Sequence, residues 1–356
     1  MLQVQPHMDA QRKKGEAESM SKVQKSLLGY AKKKVKKGFR TADLFAGVGG
    51  IRLGFEKAGF KTVFANDFDA SCKLTYDLNF SEPKLTVEDI WKVNIDNLPE
   101  FDVLLGGFPC QAFSIAGYRK GFKDEKGRGN LFFRIAEILE ERRPKAVLLE
   151  NVKNLKSHDS GRTFKIIQKT LEKLGYHTKH EVLNSMTHGN IPQNRERIFI
   201  AGFLDKSKAD KFRFPEPIEL KKSFRNFIEN RADSKYHYNG RPLFERIHKD
   251  VTSEDTVYQW RRKYVRENKR GVVPTLTANM GTGGHNVPII KEGDVIRKLT
   301  PKECFLLQGF PKEFKLPDIA NTRLYHQAGN SVTVPVVERI AVNMMKALKA
   351  SKNQRV

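Results

Sequence analysis

Nowhere in the 356 residues is there a run of about 18 apolar residues, the length a membrane-spanning helix needs, and the first residues lack the apolar stretch of a secretion signal. Cysteine is scarce. Cys72, Cys110 and Cys304 lie far apart and without zinc-ligand spacing, which argues against a disulfide framework and a structural metal and for a reducing compartment. No internal repeat is evident. The Gly-rich turn near residue 47 does not match G-x-G-x-x-G, and no Lys-Ser/Thr pair follows it, so a nucleoside triphosphate site is excluded there. Acidic residues are in deficit, 41 against 65 Lys and Arg, for a net charge of +24. That surplus implies a polyanionic partner, nucleic acid first, with a soluble basic protein or a membrane-surface binder as the alternative.

What the chain does have is alternation. Apolar strand segments at 39–46 (FRTADLFA), 61–66 (KTVFAN), 101–107 (FDVLLGG), 145–151 (KAVLLEN) and 197–203 (RIFIAGF) are separated by amphipathic stretches, with crossover helices at 130–143 and 161–174. This is the pattern of an α/β fold with a doubly wound, mostly parallel sheet. Residues 1–38 are a basic extension, disordered at its start, whose Lys32–Lys37 run is either a phosphate contact or a solvated helix end. Residues 39–203 form the first domain. From 204 to 296 prolines interrupt the chain (FRFPEPIELKK), Arg and Lys are frequent, aromatics are interleaved, and no period holds. Residues 271–290 read there as short strands joined by a Gly-rich turn. Residues 297–356 turn helical again at 300–311 and 334–349, and Cys72 and Cys304 fall in helical, core-like patterns.

Two places suit chemistry. Residues 41–60 carry a strand into Gly47, Gly49 and Gly50 and then a helix with apolar residues at Ile51, Leu53, Phe55 and Ala58. Glycines there let the backbone approach a ligand, and the helix start offers free N–H groups and a positive dipole end. The next strand ends in Asn66-Asp67-Phe68. An acidic residue about 20 positions beyond such a turn is where related folds bind a ribose diol, so Asp67 points to an adenosine-type ligand. The second place is GFPCQAFSIAG, 107–117. Gly106 and Gly107 end a buried strand and Pro109 stiffens the backbone before Cys110, at the strand end where open α/β sheets place ligands. The thiol suits a nucleophile, but a buried structural cysteine fits the same residues, and the motif alone leaves both open.

Six blocks occur in order: DLFAGVGG (43–50), GFPCQAFS (107–114), LLENV (148–152), QNRERIFIAGF (193–203), RKLTPKECFLLQGFP (297–311) and HQAGNSVTVP (326–335). Together they resemble the motifs of the cytosine carbon-5 DNA methyltransferases, especially the compact bacterial restriction–modification enzymes, over residues 39–345. The resemblance implies a Rossmann-like, S-adenosylmethionine-dependent enzyme with Cys110 as nucleophile toward a flipped-out cytosine in duplex DNA. It further implies that Glu150 contacts ring N3 and the exocyclic amine. Arg197 would hold the cytosine carbonyl, and Arg195 a nearby phosphate or the catalytic loop. Read without the family, Glu150 is equally a helix-start cap and the arginines are surface charge.

For S-adenosylmethionine, the resemblance assigns Phe45, Ala46, Gly47, Val48, Gly49 and Gly50 to the first turn, and Asp67 and Phe68 to the ribose diol and the adenine face. Asp89 and Ile90 would meet the adenine amine, with Pro109, Leu131, Asn330 and Val332 completing the pocket. The family pattern has Glu at Asp67 and Trp at Phe68; both swaps keep the chemistry. Ala116 stands where relatives often carry Ser, which removes one expected DNA contact.

Residues 111–129 are expected to form a loop closing over DNA, Gln111 filling the space the base vacates and Ser114 touching the duplex. Residues 204–296 correspond to the target-recognition domain, with the turn 275–284 nearest DNA. There Thr275 and Thr277 offer hydroxyls, and Gly281, Gly283 and Gly284 allow close approach; a plain hairpin turn is the alternative. The expected arrangement is two lobes around a basic cleft, the C-terminus packed on the first domain. The expected partners are double-stranded DNA and a cognate restriction endonuclease acting separately, for a monomer in the bacterial cytoplasm, on the nucleoid when bound. A transfer-RNA cytosine methyltransferase would carry a Cys-Phe-Thr signature, absent here, and an amino-methyltransferase an Asn/Asp-Pro-Pro-Tyr/Phe motif, also absent. A catalytically dead DNA-binding regulator would not need Cys110, Glu150 and Arg197 together.

Overall fold

Strand segments apolar enough to be buried on both faces assemble side by side, as a parallel sheet requires. The computed structural model describes residues 38–109, 131–268, 271–282 and 287–351. The first elements are β1 (Arg40–Leu44), α1 (Gly50–Lys57), β2 (Lys61–Asp67), α2 (Ala70–Asn79), β3 (Thr86–Val87), β4 (Val103–Gly107), α3 (Leu131–Arg142) and β5 (Ala146–Val152). There follow α4 (Arg162–Lys173), β6 (His177–Asn184), α5 (Ser185–Gly189), β7 (Gln193–Asn194), β8 (Glu196–Phe203) and α6 (Lys206–Lys211).

The main sheet has seven strands in the order β3-β2-β1-β4-β5-β8-β6. Only β8 runs against its neighbours, antiparallel to both β5 and β6. Alternate residues feed opposite faces. Leu104, Val147, Leu149, Ile198 and Ile200 pack with α3 and α4, while Val103, Leu105, Leu148, Phe199 and Ala201 pack with α1 and the last helix. β6 escaped the sequence reading because it is an edge strand: only Leu183 of its eight residues is buried, so no apolar run marks it.

The second half builds α7 (Phe244–Ile247), β9 (Val257–Trp260), β10 (Val265–Asn268), β11 (Val273–Pro274), β12 (Ile289–Glu292) and β13 (Val295–Lys298). It ends in α8 (Pro301–Leu306), α9 (Asn321–Asn330) and α10 (Val334–Lys349). A four-stranded sheet, β10-β9-β12-β13, encloses a small core of Tyr238, Ile247, Val251, Tyr258, Ile289 and Ile296. β11 does not pair with β12 as a hairpin would. It lies parallel to β7, beside the main sheet.

Both expected boundaries of the second domain shift. Ala209, Phe212 and Phe214 belong to the core of the main sheet with Phe203 and Leu348, so the packing of the first domain runs on to 214 although its last strand ends at Phe203. The boundary at 296 cuts β13, whose buried Arg297 forks onto Glu303 of α8, Nη1 to Oε2 at 2.9 Å and Nη2 to Oε1 at 2.8 Å. Glu303 also closes the capping box of α8 with Thr300. The block RKLTPKE is therefore a structural joint. α10 returns to the first domain, where the Cβ absent from Gly54 would lie 2.7 Å from Val337 Cγ1.

Candidate active site

The carboxyl ends of β1, β2, β4 and β5 open onto a cavity of about 280 Å³. β1 turns sharply there: Phe45 has φ 56° and Gly47 φ 53°, a region a residue other than glycine enters only under constraint. Phe45, Ala46, Gly47, Val48 and Gly50 line the cavity, and the space where a Cβ of Gly47 would stand is empty to 4 Å. Gly49 does not line it. With φ 85° it caps α1, and its missing Cβ would strike Phe80 Cε2 at 2.3 Å. Its lack of a side chain is required by packing against Phe80.

Asp67, at the end of β2, reaches across this turn. Its Oδ2 accepts the Gly47 N–H at 2.8 Å and its Oδ1 the Asp69 N–H at 2.9 Å. Burial raises the carboxyl above its ordinary value against the pull of those N–H groups. Phe68 beside it is 77% exposed, a large aromatic face left uncovered by the described residues. Pro109, Leu131, Asn330 and Val332 line the same cavity. Asp89 and Ile90 are not among the residues that line it. Ile90 is buried under α3 and its carbonyl accepts from Arg134 Nε at 3.1 Å, while the Asp89 carboxylate accepts the Trp91 N–H in a local turn.

The opposite wall carries charge. Glu150, at the end of β5, and Arg197, on β8, are joined Nε to Oε1 at 3.1 Å, with side chains 11% and 17% exposed. Burial raises the Glu150 carboxyl above its ordinary value; Arg197, then Arg195, oppose it. The result is an acid that holds a proton more readily than one in water. Asn151, not foreseen in the sequence, donates from Nδ2 to the Phe108 carbonyl at 2.8 Å and ties β5 to the strand end that leads into Pro109.

For Arg195 the expected loop contact lies outside the described residues, and the phosphate contact has competition. Its guanidinium is buried and donates to three carbonyls: Leu276 at 2.7 Å, Gly329 at 3.1 Å and Ser331 at 2.5 Å. A group so committed does not reach a phosphate; it clamps the 276 segment to the end of α9, which carries Asn330. Gln193 holds the same segment by accepting the Leu276 N–H at 3.1 Å. The closeness is such that a Cβ on Gly329 would lie 2.2 Å from the Thr277 carbonyl carbon.

Cys110, Gln111, Ser114, the loop 111–129, Gly283, Gly284 and the extension 1–37 lie outside the described residues. The other two cysteines are buried, and burial pushes both thiols well above the ordinary value. Neither can supply a thiolate. Cys72 nevertheless borders the cavity, one turn into α2. Thr275 and Thr277 line a separate recess, where their hydroxyls donate to the Asn194 carbonyl at 2.6 Å and to Asn279 Oδ1 at 2.8 Å. Gly281 faces inward: a Cβ there would meet Tyr325 at 3.0 Å, so its role is packing on α9 and not approach to DNA.

A family model described as C-5 cytosine-specific DNA methylase matches residues 39–346. The chain is 53% identical over 312 residues to the type II methyltransferase M.Bsp6I of a Bacillus species, covering 86% of this chain and 98% of that one. It is 42% identical to M.HaeII of Haemophilus aegyptius, covering 88% and 94%, and 37% identical to M.HhaI of Haemophilus parahaemolyticus, covering 87% and 95%. Among solved structures, DNMT2 of Spodoptera frugiperda superposes with a TM-score of 0.68 at 20% identity over 86% of this chain and 99% of that one. Dnmt2 of S. pombe does so with 0.68 at 19% over 88% and 100%. At that identity the structural likeness shows the fold alone.

Proposed function

The chain belongs to the C-5 cytosine-specific DNA methylase family, and from that premise we propose that Cys110 forms a covalent adduct with a cytosine flipped out of duplex DNA. It is a DNA (cytosine-5-)-methyltransferase of the restriction–modification type, with S-adenosylmethionine as methyl donor. The observation that carries the proposal is the shared cavity. The Gly47 turn, Asp67 and the uncovered Phe68 ring stand on one side of it, the Glu150–Arg197 pair on the other, and Pro109, the residue before Cys110, at its edge.

The residues fit the cofactor. Asp67 keeps lone pairs for a ribose diol, Phe68 a free face for adenine, and the open position at Gly47 leaves room for the ligand against the backbone. Asn330, Val332, Leu131 and Pro109 complete its walls. When bound, S-adenosylmethionine supplies an electrophilic sulfonium methyl. The Cys110 thiolate adds to carbon 6 of cytosine and makes carbon 5 nucleophilic. After carbon 5 has taken the methyl, loss of its proton expels the thiolate. Glu150, whose carboxyl burial makes easier to protonate, donates to N3 as the ring accepts electrons. The Nη2 of Arg197, without a hydrogen bond to the described residues, meets the cytosine carbonyl.

Flipping costs a few kcal/mol, and the loop 111–129 with Gln111 and Ser114 is assigned to that step. Sequence choice is assigned to the region between α6 and β13, with Thr275, Thr277, Gly283 and Gly284 on its DNA side. We assign the protein to the bacterial cytoplasm, as a monomer protecting DNA from a separate endonuclease of the same specificity. The test is transfer of labelled methyl groups from S-adenosylmethionine to duplex DNA and to transfer RNA, followed by bisulfite sequencing of the DNA. Label at carbon 5 within one duplex sequence is expected; label confined to RNA, or absent from both, overturns the reading.

A further inference from the structure

The second sheet ends in a hairpin, β9 and β10, with a tight turn: the Arg261 N–H bonds the Tyr264 carbonyl at 2.9 Å and Arg262 takes φ 66°. Its two faces differ in kind. Tyr258, Trp260 and Val265 pack into the small core. Gln259 stands directly across from Arg266, and Arg261 and Asn268 lie two residues further along each strand, so the pleat puts these four on the other face. That face is one wall of a recess of about 790 Å³, whose far wall is the segment carrying Thr275, Thr277 and Asn279.

Asn268 on this wall is held by its own strand pair, its Nδ2 donating to the Val257 carbonyl at 2.9 Å. Gln259 is 6% exposed, and its amide, which is not sealed from solvent, makes no hydrogen bond with the described residues. Arg261 and Arg266 are exposed, and their guanidinium groups make no ion pair or hydrogen bond with the described residues. Nor is the recess built for phosphate alone. Glu267 lines it, and Gln259, Asn268 and Asn279 bring acceptor oxygens among the donors. Phosphate oxygens accept and never donate, whereas base edges do both.

We infer that the β9–β10 hairpin is the base-reading element, entering the major groove with Arg261 and Arg266 directed at guanine O6 and N7. A two-stranded ribbon fits the width of that groove, and a guanidinium fork matches the paired acceptors of guanine. Gln259, opposite Arg266, presents its own amide to the neighbouring base. The inference rests on the reading of the chain as a sequence-specific DNA methyltransferase, and it names the residues through which the sequence is chosen.

The test uses the full-length protein and short duplexes containing the site that bisulfite sequencing shows it to methylate. Each guanine of the site is replaced in turn by 7-deazaguanine, which lacks the N7 acceptor, or by inosine, which lacks only the minor-groove amine. Dissociation constants are then measured for the wild type, Arg261→Lys and Arg266→Lys. For the wild type, 7-deazaguanine at two of the guanines weakens binding by about 3- to 10-fold, and inosine at the same positions leaves it unchanged. Each lysine variant keeps the charge but loses the fork, and so loses the penalty at one of those guanines and retains it at the other. Variants that bind every duplex more weakly while keeping both penalties make the arginines phosphate contacts and overturn the inference, as does a wild type insensitive to 7-deazaguanine. A wild type that methylates duplex DNA without sequence choice, or not at all, fails the functional reading instead.

Discussion

Glu150 and Arg197 face each other from β5 and β8 with Oε1 and Nε 3.1 Å apart, in a cavity that leaves both side chains less than a fifth exposed. The arginine holds the carboxylate oxygen without cancelling the effect of burial, so the acid stays easier to protonate than in water. Glu150→Gln keeps the shape and removes the transferable proton. Methyl transfer is expected to slow by about 10²–10⁴-fold, with S-adenosylmethionine affinity near the wild-type value. Single-turnover rates and cofactor titration check both halves. Collapse of cofactor binding would make Glu150 a structural residue.

Arg195→Ala strips two buried carbonyls and one part-buried carbonyl of their donor, the buried ones worth about 1–3 kcal/mol each when left unpaired. The expected outcome is a large loss in urea-unfolding stability, with the salt dependence of DNA binding unchanged. A phosphate contact would act the other way, taking roughly 0.9 from the slope of log K against log salt. The two measurements separate clamp from phosphate ligand.

Gly47 and Gly329 both border the cavity but require glycine for different reasons. At Gly47 an added methyl meets nothing, and the cost of alanine is backbone conformation alone, roughly 1–2 kcal/mol. At Gly329 it strikes the Thr277 backbone, so the cost should reach about 3 kcal/mol, the upper end of the usual overpacking range. Urea midpoints of the two variants compare them directly. Equal losses would contradict the close apposition of 277 and 329.

Asp43, in β1, is buried with neither carboxylate oxygen hydrogen-bonded among the described residues. Burial pushes it from 3.8 up to about 7, against the attraction of Arg52. The folded chain therefore binds a proton that the unfolded chain has released, and stability must fall as pH rises between those two values. Asp43→Asn, neutral throughout, is expected to flatten the stability profile between about pH 4 and pH 7. An unchanged profile would assign the slope to other groups.

That the Gly-rich turn, Asp67 and Phe68 meet at the strand ends was legible in the sequence, because residue types at short spacing place them there. The apolar strands were legible for the same local reason. What escaped was set by partners far along the chain. Arg195 looks like surface charge or a phosphate ligand until its guanidinium is found on carbonyls 81 and 134 residues away. Gly49 and Gly281 look like ligand-approach glycines until Phe80 and Tyr325 are found against them. β6 carries too little apolar surface to announce itself, and 206–214 looks like the start of a new domain although its aromatics complete the old one.

The central claim is that Cys110 attacks carbon 6 of cytosine, and a duplex carrying 5-fluorocytosine at the methylated position tests it most directly. Fluorine at carbon 5 leaves no proton to lose, so the thiol cannot be expelled and the adduct persists. With S-adenosylmethionine present, denaturing electrophoresis and mass spectrometry should find the wild-type chain joined one to one to the duplex through Cys110, and Cys110→Ala should bind the same duplex without forming the bond. A wild-type protein that methylates ordinary duplex DNA but gives no adduct, or an adduct that survives Cys110→Ala, would contradict the account.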